Sequence, residues 1–296
     1  MATKIGLILP TTEIGHDFGA VKEYVQTADA LGYDHLLAYD HILGADTSHY
    51  PGWTGSYRME QAFREPFVFL AYVAAVAPRL EPCISVLVLP IRQTALVAKQ
   101  AAELDVLSGG RLRLGVGVGW NPVEFEAMGE NIKNRGRRID EQVSLLRSLW
   151  TDESVDYAGT WNRVTHAGIN PLPQQRPIPI WFGGSSEPML RRIASLGDGW
   201  FPHSTPAPFR FGDGSGPAKV KQVHGYMREV GRDPSELGID GHIDAPRDLP
   251  PSQWADEVPK WESLGAGYVS LNTMRCGYTS PSQHIEAIRR FKEALG

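Results

Sequence analysis

The chain has 296 residues, of which 42% are hydrophobic and 21% are charged, as in ordinary globular proteins. The formal net charge of -5 argues against a nucleic-acid partner, because no basic stripe is available to neutralise phosphates. The apolar runs are short, and the N-terminus lacks the pattern of a signal peptide. We therefore expect no membrane partner and a cytoplasmic location.

Short apolar runs alternate with helical patterns along the chain, in eight strand–helix units. The predicted strands span residues 4–10, 35–40, 80–89, 111–117, 178–182, 199–202, 237–243 and 267–273. The predicted helices span residues 18–31, 65–77, 93–107, 135–150, 187–196, 218–230, 251–264 and 280–295.

This alternation is typical of a parallel sheet covered by helices, and eight units favour a closed barrel. The sequence therefore predicts an α/β fold, a single (β/α)8 TIM barrel domain over residues 1–296 with insertions at the C-terminal strand ends. The loops 42–64, 151–177 and 203–217 are expected to shape a pocket.

A glycine–serine segment, Gly183-Gly184-Ser185-Ser186, ends the fifth predicted strand. Two glycines allow the backbone to approach a ligand closely, and a serine suits the cap of the next helix. The N–H groups and dipole at such a helix start favour an anion, so a phosphate site is predicted. The alternative is an ordinary tight turn with a serine cap.

A second glycine run, Gly115 to Gly119, ends the fourth predicted strand. Its spacing is G-x-G-x-G and Asn121-Pro122 follows it, so it is not the dinucleotide-binding fingerprint. Alternate glycines in a strand predict room for a planar ring on one barrel face. The alternative is crowding where the barrel tapers.

Polar side chains at two other strand ends are candidates for chemistry. Asp40-His41 ends the second strand, where the imidazole can donate a proton near neutral pH and the carboxylate can orient it or bind the ligand. A loop-anchoring pair is the alternative. His203 ends the sixth strand, and no cluster has the spacing of metal ligands, so no metal is expected.

These segments together resemble the luciferase-like monooxygenase superfamily, and more closely its coenzyme F420-dependent oxidoreductases. The matching segments are residues 104–120, 138–141, 179–184 and 197–200, with Asp40-His41. The resemblance implies a barrel with an F420 or FMN ring in its mouth and a non-proline cis peptide near Ser85-Val86. The residues expected to bind the cofactor are Asp40, Ser85, Val86, Leu87, Gly117, Val118, Gly119, Trp120, Asn121, Gly183, Gly184, Ser185 and His203.

The leading hypothesis is an F420-dependent oxidoreductase that moves a hydride between the deazaflavin and an unidentified small organic substrate. His41 is its predicted catalytic residue, which polarises or protonates the substrate. One alternative is an FMN-dependent monooxygenase that uses O2. Another class is a non-redox phosphate-binding barrel, or a protein that only binds the cofactor. The resemblance leaves the oligomeric state open, with a homodimer through barrel helices as the family's common form.

Overall fold

The computed structural model describes residues 2–55, 57–202 and 215–296. Its strands are β1 (Lys4–Ile8), β2 (His35–Ala38), β3 (Glu81–Val88), β4 (Arg113–Gly117), β5 (Val155–Ala158), β6 (Arg163–Ala167), β7 (Ile180–Gly183), β8 (Gly199–Phe201), β9 (Gly238–Asp244) and β10 (Tyr268–Asn272). Eight of them form a closed parallel barrel in the order β1, β10, β9, β8, β7, β4, β3, β2. The predicted (β/α)8 barrel is confirmed, and all eight predicted strands belong to it.

Helices surround the barrel. They are α1 (Thr11–Ile14), α2 (Phe18–Ala30), α3 (Pro66–Val76), α4 (Thr94–Leu107), α5 (Pro122–Ala127), α6 (Arg135–Thr151), α7 (Glu187–Leu196), α8 (Ser215–Glu229), α9 (Pro251–Ala255), α10 (Val258–Ser263) and α11 (Pro281–Leu295). The prediction of one helix over 251–264 is wrong, since α9 and α10 are separate. Pro259 explains the break, because its ring lacks an N–H and clashes with the carbonyl four residues earlier.

The segment 151–177 contains an antiparallel hairpin, β5–β6, that the sequence did not predict. Its strands are short and mostly exposed, so they carry no clear apolar alternation. The hairpin lies outside the barrel, where Glu141 on α6 accepts hydrogen bonds from the backbone N–H groups of Thr160, Trp161 and Asn162. It precedes β7 rather than following a strand, and it does not line the mouth cavities described below. The expectation that 151–177 shapes the pocket is therefore wrong.

Two apolar layers stabilise the barrel. The larger lies between the sheet and the helices, and the smaller fills the barrel interior with Ile8, Leu37, Cys83, Trp181 and Phe201. Burying a large apolar side chain contributes about 2 kcal/mol. Within the described ranges, no helix combines the length and the apolar character that crossing a membrane requires.

A charged cluster lies inside the barrel, beside this apolar layer. Arg113 donates to Asp240 at 2.9 Å, and its guanidinium lies 4.1 Å from the ring centroid of Tyr268. Asp240 also accepts from Ser270, whose hydroxyl lies 2.8 Å from His35 Nε2. Burial disfavours the charged form of Asp240, but the neighbouring His35 and Arg113 hold its pKa below the ordinary value.

Candidate active site

A cavity of about 260 Å³ opens at the C-terminal ends of β2, β3, β4, β7 and β8, and we call it the smaller lobe. The peptide bond between Ser85 and Val86 in its wall is cis, as the resemblance implied. The residues that line it are Tyr39, Asp40, His41, Tyr57, Ser85, Val86, Val88, Gly117, Val118, Gly119, Trp120, Gly183, Gly184 and Phe201. The structure therefore brings most of the predicted site residues to one place.

His41 is held by a carboxylate that the sequence did not assign to the site. His41 Nδ1 lies 3.1 and 3.2 Å from the two carboxylate oxygens of Glu124, and both side chains are nearly inaccessible. Glu124 also accepts from the backbone N–H groups of Ile42 at 2.7 Å and Leu43 at 3.4 Å. Because a carboxylate only accepts, Nδ1 carries the proton. Nε2 is then the ring nitrogen that can exchange a proton with a ligand.

The short helix α5 carries Glu124 to this position. Asn121 caps α5 by accepting from the N–H of Val123 at 3.0 Å, and it donates to the carbonyl of Leu43 at 3.3 Å. Phe125 anchors the helix in an apolar cluster with residues of the β3 end. Asn121 therefore positions the Glu124 helix, and it does not line the smaller lobe.

Asp40 does not orient His41, contrary to one predicted role. Its carboxylate accepts from the backbone N–H of Val88 at 2.9 Å and from Arg92 at 2.7 Å. The Asp40 side chain is 1% exposed, so these charge-assisted bonds fix the end of β2 against β3. Glu124, and not Asp40, orients the imidazole of His41.

The glycines of β4 do not simply leave space for a ring. A Cβ at Gly115 would lie 2.2 Å from the carbonyl oxygen of Ile84, and one at Gly117 would lie 2.6 Å from Val86. Gly119 has φ +75° and faces Val88 in the same way. The predicted ring clearance is therefore wrong for Gly115, which lies outside the cavity wall, and crowding between β4 and β3 explains the run. Gly117 and Gly119 still line the lobe.

The turn from β7 to α7 has the features of an anion site. Gly184 has φ +116°, and Ser186 stands at the N-cap of α7 without a side-chain cap bond. Lys219 of α8 donates to the carbonyl of Ser185 at 3.2 Å, which places an ammonium at the helix N-terminus. The helix dipole and a cation act together there. Ser185 is half-buried and lies beside the lobe rather than in its wall.

Three other predicted residues have different placements. Leu87 is fully buried in the layer between sheet and helices, because it alternates with the inward side chains of β3, and it does not line the lobe. Trp120 lines the lobe and is 40% exposed at its rim. His203 lies outside the described residues.

An aromatic wall covers one side of His41. The Tyr57 ring lies 4.1 Å from the imidazole, and those of Phe63 and Trp120 lie at 5.0 and 5.8 Å. Burial raises the pKa of the Tyr57 hydroxyl, so Tyr57 stays neutral. The imidazole therefore works in an apolar, partly dehydrated setting.

A second cavity, of about 980 Å³, adjoins the first at the ends of β9 and β10, and we call it the larger lobe. Its walls combine polar side chains with Trp254, Leu249 and Met274. Among the described residues, no group of three or more His, Cys, Asp or Glu side chains could hold a metal ion.

Comparison with known proteins agrees with this architecture. The model of the luciferase-like monooxygenase family matches residues 3–239, and the chain belongs to that family. The chain is 36% identical over 189 residues to an uncharacterized Mycobacterium tuberculosis protein, covering 62% of this chain and 65% of that protein. It is 30% identical over 186 residues to the FMNH(2)-dependent dimethylsulfone monooxygenase of Pseudomonas putida, covering 61% of this chain and 47% of that enzyme.

A similar fold occurs in the F420-dependent secondary alcohol dehydrogenase solved with an F420-acetone adduct. The TM-score is 0.77 at 16% sequence identity, over the whole of both chains. This likeness concerns the fold. The curated relatives named above are matched over less than two thirds of their own lengths.

The sequence did not predict that five further residues contribute to the site: Glu124, Arg92, Tyr57, Tyr39 and Lys219. Asn121-Pro122-Val123-Glu124 has the form of a helix start with an acidic residue at its third position. That pattern predicts the short helix, but the contact of Glu124 with His41 spans 83 residues and has no local signal.

Proposed function

We propose that the protein is an F420-dependent oxidoreductase that transfers a hydride between the deazaflavin and a small organic substrate. The observation that carries the proposal is the His41–Glu124 pair in the wall of a glycine-lined cavity. Hydride transfer to or from a carbon bearing oxygen needs a proton to move at that oxygen. An imidazole held by a buried carboxylate is suited to this task.

The residues present fit a phosphate-bearing ring cofactor. Val86, Gly117 and Phe201 offer an apolar wall for a planar ring. Ser185, before the start of α7, and Lys219, which reaches it from α8, would hold its phosphate. When bound there, the deazaflavin would supply or accept the hydride, and the protein would supply orientation and proton transfer.

His41 has one defined role in this scheme. Glu124 keeps the proton on Nδ1, so Nε2 can take a proton from a substrate hydroxyl or return it to a carbonyl. The carboxylate also stabilises the imidazolium that forms when Nε2 accepts a proton. The aromatic wall shields one side of the imidazole from water.

Equilibrium binding tests the cofactor assignment. The protein is titrated with F420 and, separately, with oxidised and reduced FMN under anaerobic conditions, with absorbance and fluorescence as readouts. We expect F420 to bind at least about tenfold more tightly than either form of FMN. Tighter binding of FMN would refute the assignment.

Turnover then tests the reaction. F420 is mixed with a panel of alcohols, and reduced F420 with the matching ketones, while the deazaflavin absorbance is followed. His41→Gln should bind F420 as the wild type does but lose at least about a hundredfold in turnover. Equal turnover by both proteins would remove His41 from the mechanism.

A second candidate is an FMN-dependent monooxygenase. It is favoured by the Pseudomonas putida relative, whose name specifies reduced FMN. This function requires O2 consumption that depends on reduced FMN and on substrate. Oxygen-electrode measurements with and without FMN reductant separate the two candidates.

A further inference from the structure

The two lobes of the mouth meet at one side chain. Tyr39 lines the smaller lobe together with His41, and it also lines the larger lobe together with Asp244 and Asn272. Among the described residues, it alone belongs to both walls. A molecule that reaches from the larger lobe to the smaller one must pass the Tyr39 side chain.

The Tyr39 side chain is fixed at this junction. It follows β2 in the inward register of His35 and Leu37, and it packs against the apolar cluster of the barrel interior. The next residue, Asp40, is bonded to Val88 and Arg92. The backbone that carries Tyr39 therefore has little freedom to move.

The Tyr39 hydroxyl is available to donate a hydrogen bond to a ligand. Within the part of the chain that the structure describes, no residue forms a hydrogen bond with it, whereas Tyr24 and Tyr33 donate to backbone carbonyls. Burial, reinforced by nearby Tyr57 and Asp244, raises its pKa well above the ordinary value. The hydroxyl is therefore a neutral donor at any physiological pH.

We infer that the larger lobe is the substrate chamber and that Tyr39 donates a hydrogen bond to a neutral substrate oxygen at the junction. The inference rests on the proposed function, because this chamber serves catalysis only when the redox cofactor occupies the smaller lobe. The ligand class is an uncharged ketone or alcohol whose apolar remainder lies against Trp254 and Leu249. A carboxylate is disfavoured, because the described lining of the larger lobe carries the carboxylates of Asp244, Asp248 and Glu257 against the one guanidinium of Arg275.

Three probes of nearly equal shape test the inference without cofactor or turnover. They are benzylacetone, the alkene in which a methylene group replaces its carbonyl oxygen, and hydrocinnamate. Dissociation constants are measured by ligand-observed NMR for the wild type, Tyr39→Phe and Tyr72→Phe. Tyr72 lies on α3 with its ring tilted against that of Phe18 and lines neither lobe, so its variant is a matched control.

We expect the wild type to prefer benzylacetone over both other probes. Tyr39→Phe should weaken benzylacetone binding about three- to tenfold, the effect of one net hydrogen bond, and change alkene binding less than about twofold. Tyr72→Phe should change neither. Leu249→Trp, which places a bulkier side chain where the apolar part of the probe is expected to lie, should weaken binding of both the ketone and the alkene.

Equal loss of ketone and alkene binding in Tyr39→Phe would reduce Tyr39 to a shape-filling residue and overturn the inference. Unchanged binding in Leu249→Trp, or no binding of any probe to the wild type, would show that the larger lobe is not the substrate chamber. If Tyr39→Phe does not fold, the wild type alone tests the inference. Equal affinity of the wild type for the ketone and the alkene then overturns it. Failure of the cofactor assignment would show instead in the F420 titration.

Discussion

Replacing Glu124 by glutamine exchanges the acceptor of His41 for a donor without changing the side chain's shape. In Glu124→Gln the amide oxygen keeps the Oε1 position, where it accepts from Ile42 and Leu43, and the NH2 group takes the Oε2 position, 3.1 Å from His41 Nδ1. When Nδ1 carries the proton, the contact at 3.1 Å then joins two donors, and only the amide oxygen at 3.2 Å still accepts from Nδ1. The preference for a proton on Nδ1 is therefore weakened, and the tautomer with the proton on Nε2 gains population. In that tautomer Nε2 cannot accept a proton.

The energetic cost follows from the contacts that change. The charge-assisted bond between the buried His41 and Glu124 side chains and the two backbone bonds all become bonds between neutral groups. Such bonds contribute about 1.5–3 kcal/mol each, against about 1 kcal/mol for neutral ones. We expect Glu124→Gln to lower the free energy of unfolding by about 2–4 kcal/mol while the fold persists. Urea titration measures this change.

The assay for the proton position is nitrogen NMR on protein with labelled histidine. The chain has 9 histidines, and the His41→Gln spectrum identifies the signals of His41. In the wild type we expect the neutral His41 to carry its proton on Nδ1, and in Glu124→Gln we expect a larger population with the proton on Nε2. If both proteins show the same tautomer populations, Glu124 does not set the proton position.

Three further predictions concern stability and the anion site. Burial lowers the pKa of His284 from 6.5 to about 4, so the native state binds fewer protons than the unfolded chain between these pH values. The free energy of unfolding should therefore fall by up to about 3 kcal/mol as the pH drops from 6.5 to 4. His284→Asn should flatten this pH dependence in urea titrations. Gly117→Ala should lower the melting temperature because its methyl group meets Val86, whereas Gly225→Ala, in open space on α8, should leave it equal or higher. Lys219→Gln should weaken cofactor binding about three- to tenfold in the same titration, and unchanged binding would place the phosphate elsewhere.

The barrel could be predicted from the sequence because each unit carries its own local signal. Strands such as residues 113–117 are buried on both faces and read as apolar runs, and glycines such as Gly32 end the helices. Pro259 indicates a helix break in the sequence, but the apolar pattern around it predicts one continuous helix. The hairpin β5–β6 lacked such a pattern.

The site was predictable only in part. Strand ends identify which residues reach the mouth, and Asp40, His41, Val86 and Gly183 are found there. The partners of those residues depend on contacts between distant elements. Asp40 binds Arg92 and leaves His41 to Glu124, and nothing in a dipeptide distinguishes this arrangement from an Asp–His pair.

The hydrogen bonds that Glu124 forms with residues 41–43, which act as a clamp, also determine which part of the barrel mouth can change in sequence. Just beyond the clamp, Ala45 and Arg58 form a β-bridge that closes the neck of the long loop after β2. The base of that loop is thus tied down twice before its variable part begins. Segments between positions 46 and 55 could be exchanged for others of different length while the imidazole and Tyr57 keep their places. Grafting loops at this neck is therefore a route to altered substrate selectivity that leaves the proton-transfer apparatus intact.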